Sequence, residues 1–465
     1  MGKCLETFNG YVWGLPLMAL LVGTGLYLTF RLLFVQLRGF THGIKVLQGN
    51  YDDVRDPGEI THFQALATAL SATIGTGNIV GVAAAILMGG PGAVFWMWIT
   101  ALVGMATKFT SCSLAVHFRR IDENGEAHGG PMHFIEIGMG AKFKWLAVLF
   151  AFFAIMASFG SGNMFQINNV VVSLNELIRG SSEPNLLFNI IVGFIIAILV
   201  GLVIIGGIKS VGRVASKIVP FMCIFYVIGG IIILGIHYSA VPSGLYTIFY
   251  YAFHAPESIA GGILGSVIRS GVSRGLFSNE AGLGSAAIAH GAARTKEPIR
   301  EGLVAMLGPF IDTICICSMT ALVIIVTGAH EVCHVKGELT GMAFSMGIGS
   351  NIGAKFVAAS IIFFAFSTLI SWSYYGDRAA DYLFGKKAVH LYRISYLGFI
   401  LLGATVKIDP IINFCDSMNG LMAAPNLIAL MVLSPVVASL AKDYFRRMKS
   451  PKERVVSLGL DAPAN

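Results

Sequence analysis

Two stretches of this 465-residue chain carry the residue types that could hold a small charged solute. The first, SATIGTGNIVGVAAAI, occupies positions 71–86, and the second, RGLFSNEAGLGSAAIAHGAA, occupies 274–293. Both place glycine, asparagine and hydroxyl side chains inside longer apolar runs. Backbone surrounded by hydrocarbon must find its hydrogen bonds within the protein, so a helix unwinds there only where its freed N–H and C=O groups meet protein, water or a ligand. Gly75, Gly77 and Gly81 in the first stretch, and Gly275, Gly282 and Gly284 in the second, make unwinding cheap. Each stretch is therefore predicted to form two half-helices meeting inside the apolar layer. The N-terminal end of one half presents unpaired N–H groups and a partial positive charge, which suits a carboxylate. Carbonyls that end the other half suit a cation, and free carbonyls or a side-chain amide or hydroxyl could take an ammonium group without burying another charge. Glu280 and Asp312 are acids inside apolar runs, where ionisable groups are costly and mark functional candidates. Glu280 could brace the unwound backbone of the other stretch or carry a proton, and the brace is favoured. Asp312 poses the same question, with Lys108, Arg269 and Arg274 as candidate partners.

The elements around these stretches follow from composition. The chain is 55% hydrophobic and only 12% charged, with a mean hydropathy of +0.74; a soluble domain has about 25% charged residues. Runs of about 20 apolar residues are long enough to cross a bilayer. Eleven such runs are predicted, near 11–34, 63–88, 92–117, 145–176, 187–206, 214–236, 257–291, 301–328, 356–383, 392–406 and 412–440. The first lacks a basic leader and a small-residue cleavage site, so it is expected to be a retained helix.

The net charge of +7 does not point to nucleic acid, because the basic residues lie in short clusters between the apolar runs. Most of the 32 Lys and Arg residues fall on alternate connections, while the intervening set holds only Lys3, Arg179, Lys336, Lys355 and Lys407. Positive charge marks the cytoplasmic side. The N-terminus is thus expected outside and the C-terminus inside. The seven cysteines show no metal-ligand spacing and are read as small buried apolar residues.

With the first run set aside, the two unusual stretches open the first and sixth of the ten that remain. Each then begins a half of five spans, and because five is odd the halves have opposite topology. Interrupted segments at matching positions of inverted halves point to a mid-membrane transport site. The expected organisation is an N-terminal accessory helix and loop (1–60), a first repeat (61–240), a second repeat (241–442) and a cytoplasmic tail (443–465).

At these residues the sequence resembles the alanine or glycine:cation symporter family, in the amino acid–polyamine–organocation superfamily. The resemblance runs through GTGNIVGVAAAILMGGPGAVFWMWITALVGMATKF at 75–109, GGPMHFI at 129–135, GNMFQINN at 162–169, GLFSNEAGLGSA at 275–286 and SWSYYGDRA at 371–379. It implies an all-α membrane protein with the five-plus-five inverted repeat of the sodium:neurotransmitter symporters, two discontinuous helices and one extra N-terminal helix, 11 transmembrane helices in all. It also implies symport of small neutral amino acids, alanine and glycine, with Na+ as coupling ion and no organic cofactor, in a multi-pass protein of the bacterial inner membrane.

Residue by residue, the resemblance puts the substrate carboxylate at the backbone of Thr76 and Gly77, with Gly75 and Asn78 beside them. Gln166 is expected either to hydrogen-bond the substrate or to cross-brace two helices, since interhelical amide bonds recur in membrane bundles. Phe277 and Trp372 are expected to face the site and limit side-chain volume. Sodium is assigned the carbonyls of Ser71, Ile74 and Phe364 and the hydroxyls of Ser367 and Thr368 in AFSTLISWS. Ser278, Asn279 and Glu280 are further candidates.

Three rivals remain in view. A channel needs a ring of equivalent selectivity elements, and the two stretches differ. An enzyme needs a nucleophile with its base or a metal cluster; HEVCH at 330–334 and GVSRG at 271–275 match HExxH and GxSxG only as bare patterns, in an all-helical apolar chain. A proton-coupled symporter or exchanger would differ only at the ion site.

Overall fold

The computed structural model describes residues 2–180, 185–254, 264–406 and 409–449. The start of the expected seventh run (257–263) and most of the tail lie outside them. Among the described residues, nine helices are long and apolar enough to cross a membrane, ten if a pair bent by 62° counts as one. That pair is α2 (His62–Thr73) and the helix running on to Gly89, whose regular part is α3 (Val80–Gly89). The seventh expected run is also divided, into α9 (Leu264–Asn279) and α10 (Ser285–His290). The run expected to be short, 392–406, belongs to a full-length helix, Lys386–Thr405.

Local chemistry explains where the key helices start and bend. Thr61 and Gln64 form a capping box ahead of α2, with Thr61 Oγ1 accepting from the Gln64 amide at 3.2 Å and Gln64 Oε1 accepting from the Thr61 amide at 3.1 Å. Two other spans contain π-helical turns: Gly160–Met164 and Phe310–Cys317. Such turns leave backbone carbonyls without regular partners and often sit at functional sites. Both carry residues that matter below, Ser161 and Asp312.

Helix α4 (Ala93–His117) lies along α9 through a seam of small residues. A Cβ at Gly271 would come 2.2 Å from the Ala93 carbonyl oxygen, and one at Gly275 would come 2.2 Å from Thr100 Oγ1. Close backbone approach of this kind is what dispersion packing in lipid requires. The polar faces of the bundle turn inward. On Leu186–Ile204, by contrast, Leu187, Ile190, Ile191, Phe194 and Ile198 are exposed, the surface a lipid-facing helix presents. Cys112, Cys317, Cys333 and Cys415 are buried as expected, whereas Cys315 is exposed.

Two contacts join the start of the first broken helix to the end of the second. Glu301 is fully buried and receives both His62 and His290 through their Nδ1 atoms. Beside it, Arg119 donates to the carbonyls of Gly291 (3.0 Å), Ala293 (2.5 Å), Pro57 (2.7 Å) and Thr295 (2.6 Å). Only the fold brings the two histidines onto one carboxylate.

Candidate functional site

A small cavity of about 30 Å³ lies where the two interruptions meet. Its walls include Gly75, Thr76 and Gly77 of the first, Phe277 and Glu280 of the second, and Gln166 and Trp372. Of the seven residues expected to contact the substrate, six therefore line one cavity. Asn78 does not; its side chain is engaged elsewhere.

The first interruption is short and self-capped. Ile74 ends α2, Gly75 takes an extended conformation, and Thr76–Asn78 forms a single 3-10 turn. Asn78 Oδ1 accepts from the Gly75 amide at 3.0 Å, which fixes the turn. Among the described residues no hydrogen bond takes up the Thr76 or Gly77 amide. These two N–H groups stand at the head of the half-helix that leads to Gly89, beside the cavity. Buried amides normally find partners, so two open donors at a helix start are the chemistry of an anion site.

The walls set size. A Cβ at Gly77 would lie 3.7 Å from the Phe277 ring, and one at Gly162 would lie 2.4 Å from Trp372 Cβ and Cγ. Trp372 thus packs closely against the π turn at Gly160–Met164. Gln166 lines the cavity and braces two helices, accepting from Thr76 Oγ1 at 3.4 Å while its Nε2 donates to the Ser161 carbonyl at 3.0 Å. Ser161, Ala72, Thr73 and Asn419 complete the lining. Sequence reasoning missed these four. Asn419 had a visible signal, the polar run DSMNG at 416–420 inside the last apolar run.

A cluster of hard oxygens stands beside the cavity. Thr368 Oγ1 lies 3.0 Å from both the Ser71 and the Phe364 carbonyl oxygens, and Ser367 Oγ lies 3.3 Å and 2.9 Å from the same two. Ser71 Oγ in turn donates to the Ser367 carbonyl at 2.7 Å. In all four contacts a hydroxyl donates to a carbonyl, so four oxygens are gathered at one spot without a charged group. Ile74 is buried at the end of the same helix and takes no part in these contacts. The cluster joins α2 to α13 (Ile352–Phe384). It also touches the first interruption, because a Cβ at Gly75 would lie 2.9 Å from Thr368 Oγ1.

Asn78 and Ser278 belong to a third group, around Asp312. Asn78 Nδ2 donates to Asp312 Oδ1 at 2.6 Å, while Ser278 Oγ and Thr313 Oγ1 donate to Oδ2 at 2.9 Å and 2.8 Å. Asn279 reaches Thr313 Oγ1 at 3.2 Å. Asp312 therefore ties the two broken helices together through neutral donors rather than through one of the three candidate cations. Glu280 does not reach across to the first interruption as its bracing role required. Its Oε2 accepts from Ser285 of its own segment at 2.5 Å, and its backbone holds a φ of 52°, rare for a residue with a Cβ.

Long apolar helices, two interruptions meeting at a buried polar cavity and an adjacent oxygen cluster together define a multi-pass membrane transporter rather than an enzyme. The model of the family described as "Sodium:alanine symporter family" matches residues 1–458. The chain belongs to that family. It is similar to the sodium/alanine symporter AgcS of Methanococcus maripaludis, at 44% identity over 95% of this chain and 96% of that one. It is also similar to the amino-acid carrier protein AlsT of Bacillus subtilis, at 33% identity over 95% of this chain and 91% of that one. Among solved structures, MhsT in complex with L-phenylalanine superposes with a TM-score of 0.53 over 87% of this chain and 94% of that one, at 13% identity, a likeness of fold. The chain is accordingly a secondary transporter of amino acids.

Proposed function

We propose that the protein is a sodium-coupled symporter of small neutral amino acids, alanine and glycine, working by alternating access. The observation that carries this reading is the pair of unpartnered amides at Thr76 and Gly77 facing a cavity whose walls leave little room for a side chain. A carboxylate seats on those amides; Phe277 and Trp372 bound the side chain. Sodium is held by Ser71, Phe364, Ser367 and Thr368, with the Ile74 carbonyl drawn in when the ion binds. Ion and substrate communicate through Gly75, which lies against Thr368 on one side and precedes the open amides on the other. Ordering Gly75 with the ion preorganises the anion site, and by linkage the substrate tightens the ion in equal measure.

In the same reading the chain has 11 spans: an accessory helix and two inverted halves of five, with the N-terminus outside and the C-terminus in the cytoplasm. The family match and the likeness of fold to MhsT support this arrangement. Glu280, buried on the cavity wall, is the one feature that favours a proton-coupled version. Uptake of labelled alanine and glycine into proteoliposomes tests the proposal. A sodium gradient is expected to drive accumulation; a potassium gradient is not. Accumulation driven equally well by a pH gradient without sodium would select the proton-coupled version and sink sodium coupling.

A further inference from the structure

The last span, α15 (Asp409–Lys449), enters the cavity through Asn419. This side chain is 2% exposed, and its Oδ1 has no hydrogen-bond partner among the described residues. A buried amide oxygen without a donor forfeits its hydration for nothing, unless a ligand supplies the missing bond.

The turn that carries Asn419 is held firmly. One helical turn earlier, on the same face, Cys415 presses into the π turn at Gly160–Met164, where a Cβ at Gly160 would lie 1.8 Å from its sulfur. On the other side Trp13 donates from Nε1 to the Asp416 carbonyl at 2.9 Å and packs against Gly420, where a Cβ would lie 3.1 Å from that nitrogen. The span thus holds a side chain with one unsatisfied acceptor at the cavity wall, in a fixed position.

A zwitterion with its carboxylate on the Thr76 and Gly77 amides still brings three N–H donors that need acceptors. Most oxygens on the wall are already engaged. Gln166 Oε1 accepts from Thr76, Glu280 Oε2 from Ser285, and the Thr73 carbonyl from the Gly75 amide. Asn419 Oδ1 and Ser161 Oγ are idle, and of the two only the amide oxygen is purely an acceptor. We propose that Asn419 is a substrate-binding residue whose amide oxygen accepts a hydrogen bond from the substrate's ammonium group, restricting the ligand class to α-amino acids that keep N–H donors. The inference rests on the symport reading above.

Equilibrium binding of labelled L-alanine to the purified full-length protein at saturating sodium tests it. A charge-assisted hydrogen bond predicts that Asn419→Leu, close in shape but without an acceptor, weakens alanine binding about ten- to a hundredfold. Asn419→Asp keeps the acceptor and loses the amide donor, and it should bind alanine within about threefold of the wild type. Sodium binding without amino acid, followed by tryptophan fluorescence, should be unchanged in both. Should Asn419→Leu not purify as one species, Asn419→Ala carries the same expectation. Alanine binding by the leucine or alanine variant within twofold of the wild type overturns the assignment, as does an aspartate variant as weak as the leucine one. A wild type that binds no alanine in sodium overturns the symport reading, and this inference with it; normal wild-type binding isolates the failure to Asn419.

Discussion

The two interruptions meet at one cavity but are built on opposite plans. The first uses one capping side chain, Asn78, to hold a three-residue turn, and it leaves the Thr76 and Gly77 amides open. The second spreads over five residues, three of them at positive φ: Glu280 (52°), Gly282 (95°) and Gly284 (90°). Several of its freed groups are taken up from within the protein, although the Gly282 and Gly284 amides have no partner among the described residues. Asn279 Oδ1 accepts from the Ala281 amide at 3.0 Å, Asn426 Nδ2 donates to the Gly282 carbonyl at 2.8 Å, and Ser285 satisfies Glu280. Unwinding a helix in a membrane thus serves two ends. Open groups make a binding site; closed ones make a rigid wall against which the site is shaped.

This contrast can be broken most directly at Gly75. Its backbone angles are open to any residue, but a Cβ there would meet Thr368 Oγ1 at 2.9 Å. Gly75→Ala is expected to weaken sodium-dependent alanine binding by about a hundredfold, a loss of ~2.7 kcal/mol. Its melting temperature in detergent should stay within about 3 °C of the wild type. Comparable losses of melting temperature and of binding would mean that the first interruption is structural as well. Next in size, Thr368→Val removes one oxygen of the proposed sodium site at constant shape. The sodium concentration for half-maximal uptake should rise about tenfold, whereas Thr368→Ser should restore it.

The second interruption should answer differently. Asn426→Leu strands the Gly282 carbonyl, at a cost of roughly 1–3 kcal/mol in stability. The melting temperature should fall by about 2–4 °C while alanine affinity moves less than about twofold. A larger change in affinity than in stability would remove the distinction between site and wall.

The smallest effect lies away from both interruptions, at the hairpin of β1 (Arg120–Ile121) and β2 (Ala127–His128). His128 pairs with Asp381 at 3.1 Å and with Asp122 at 3.4 Å, and the bond to Asp381 leads in raising its pKa against the lowering effect of burial. Since the folded value lies above the unfolded one, about 6.5, the contribution is complete below that pH and is lost as pH rises through the raised value. The melting-temperature gap between wild type and His128→Gln should therefore be about 1 °C wider at pH 5.5 than at pH 8.5.

Much of this architecture could be read from the sequence, because the bilayer enforces strict rules. Apolar length announced the spans, and clustered Gly and Asn announced both interruptions. What stayed hidden was pairing across the fold. Asp312 gave itself away as a buried acid, yet its donors, Asn78 and Ser278, lie 234 and 34 residues distant. The positive φ of Glu280 was equally out of reach, since nothing about a glutamate suggests a left-handed backbone. Asn419 shows a subtler failure: one polar residue in an apolar span reads as a packing amide until a cavity is seen beside it.

Arg119 gathers four carbonyl oxygens from the segments at 57 and 291–295, at the far end of α2 from Gly75. Twelve residues of helix separate that end from the interruption, about 18 Å at 1.5 Å per residue. Carbonyls neither titrate nor exchange counterions. Such a fastening ignores pH and feels salt only weakly, and water must replace its bonds nearly all at once for it to let go.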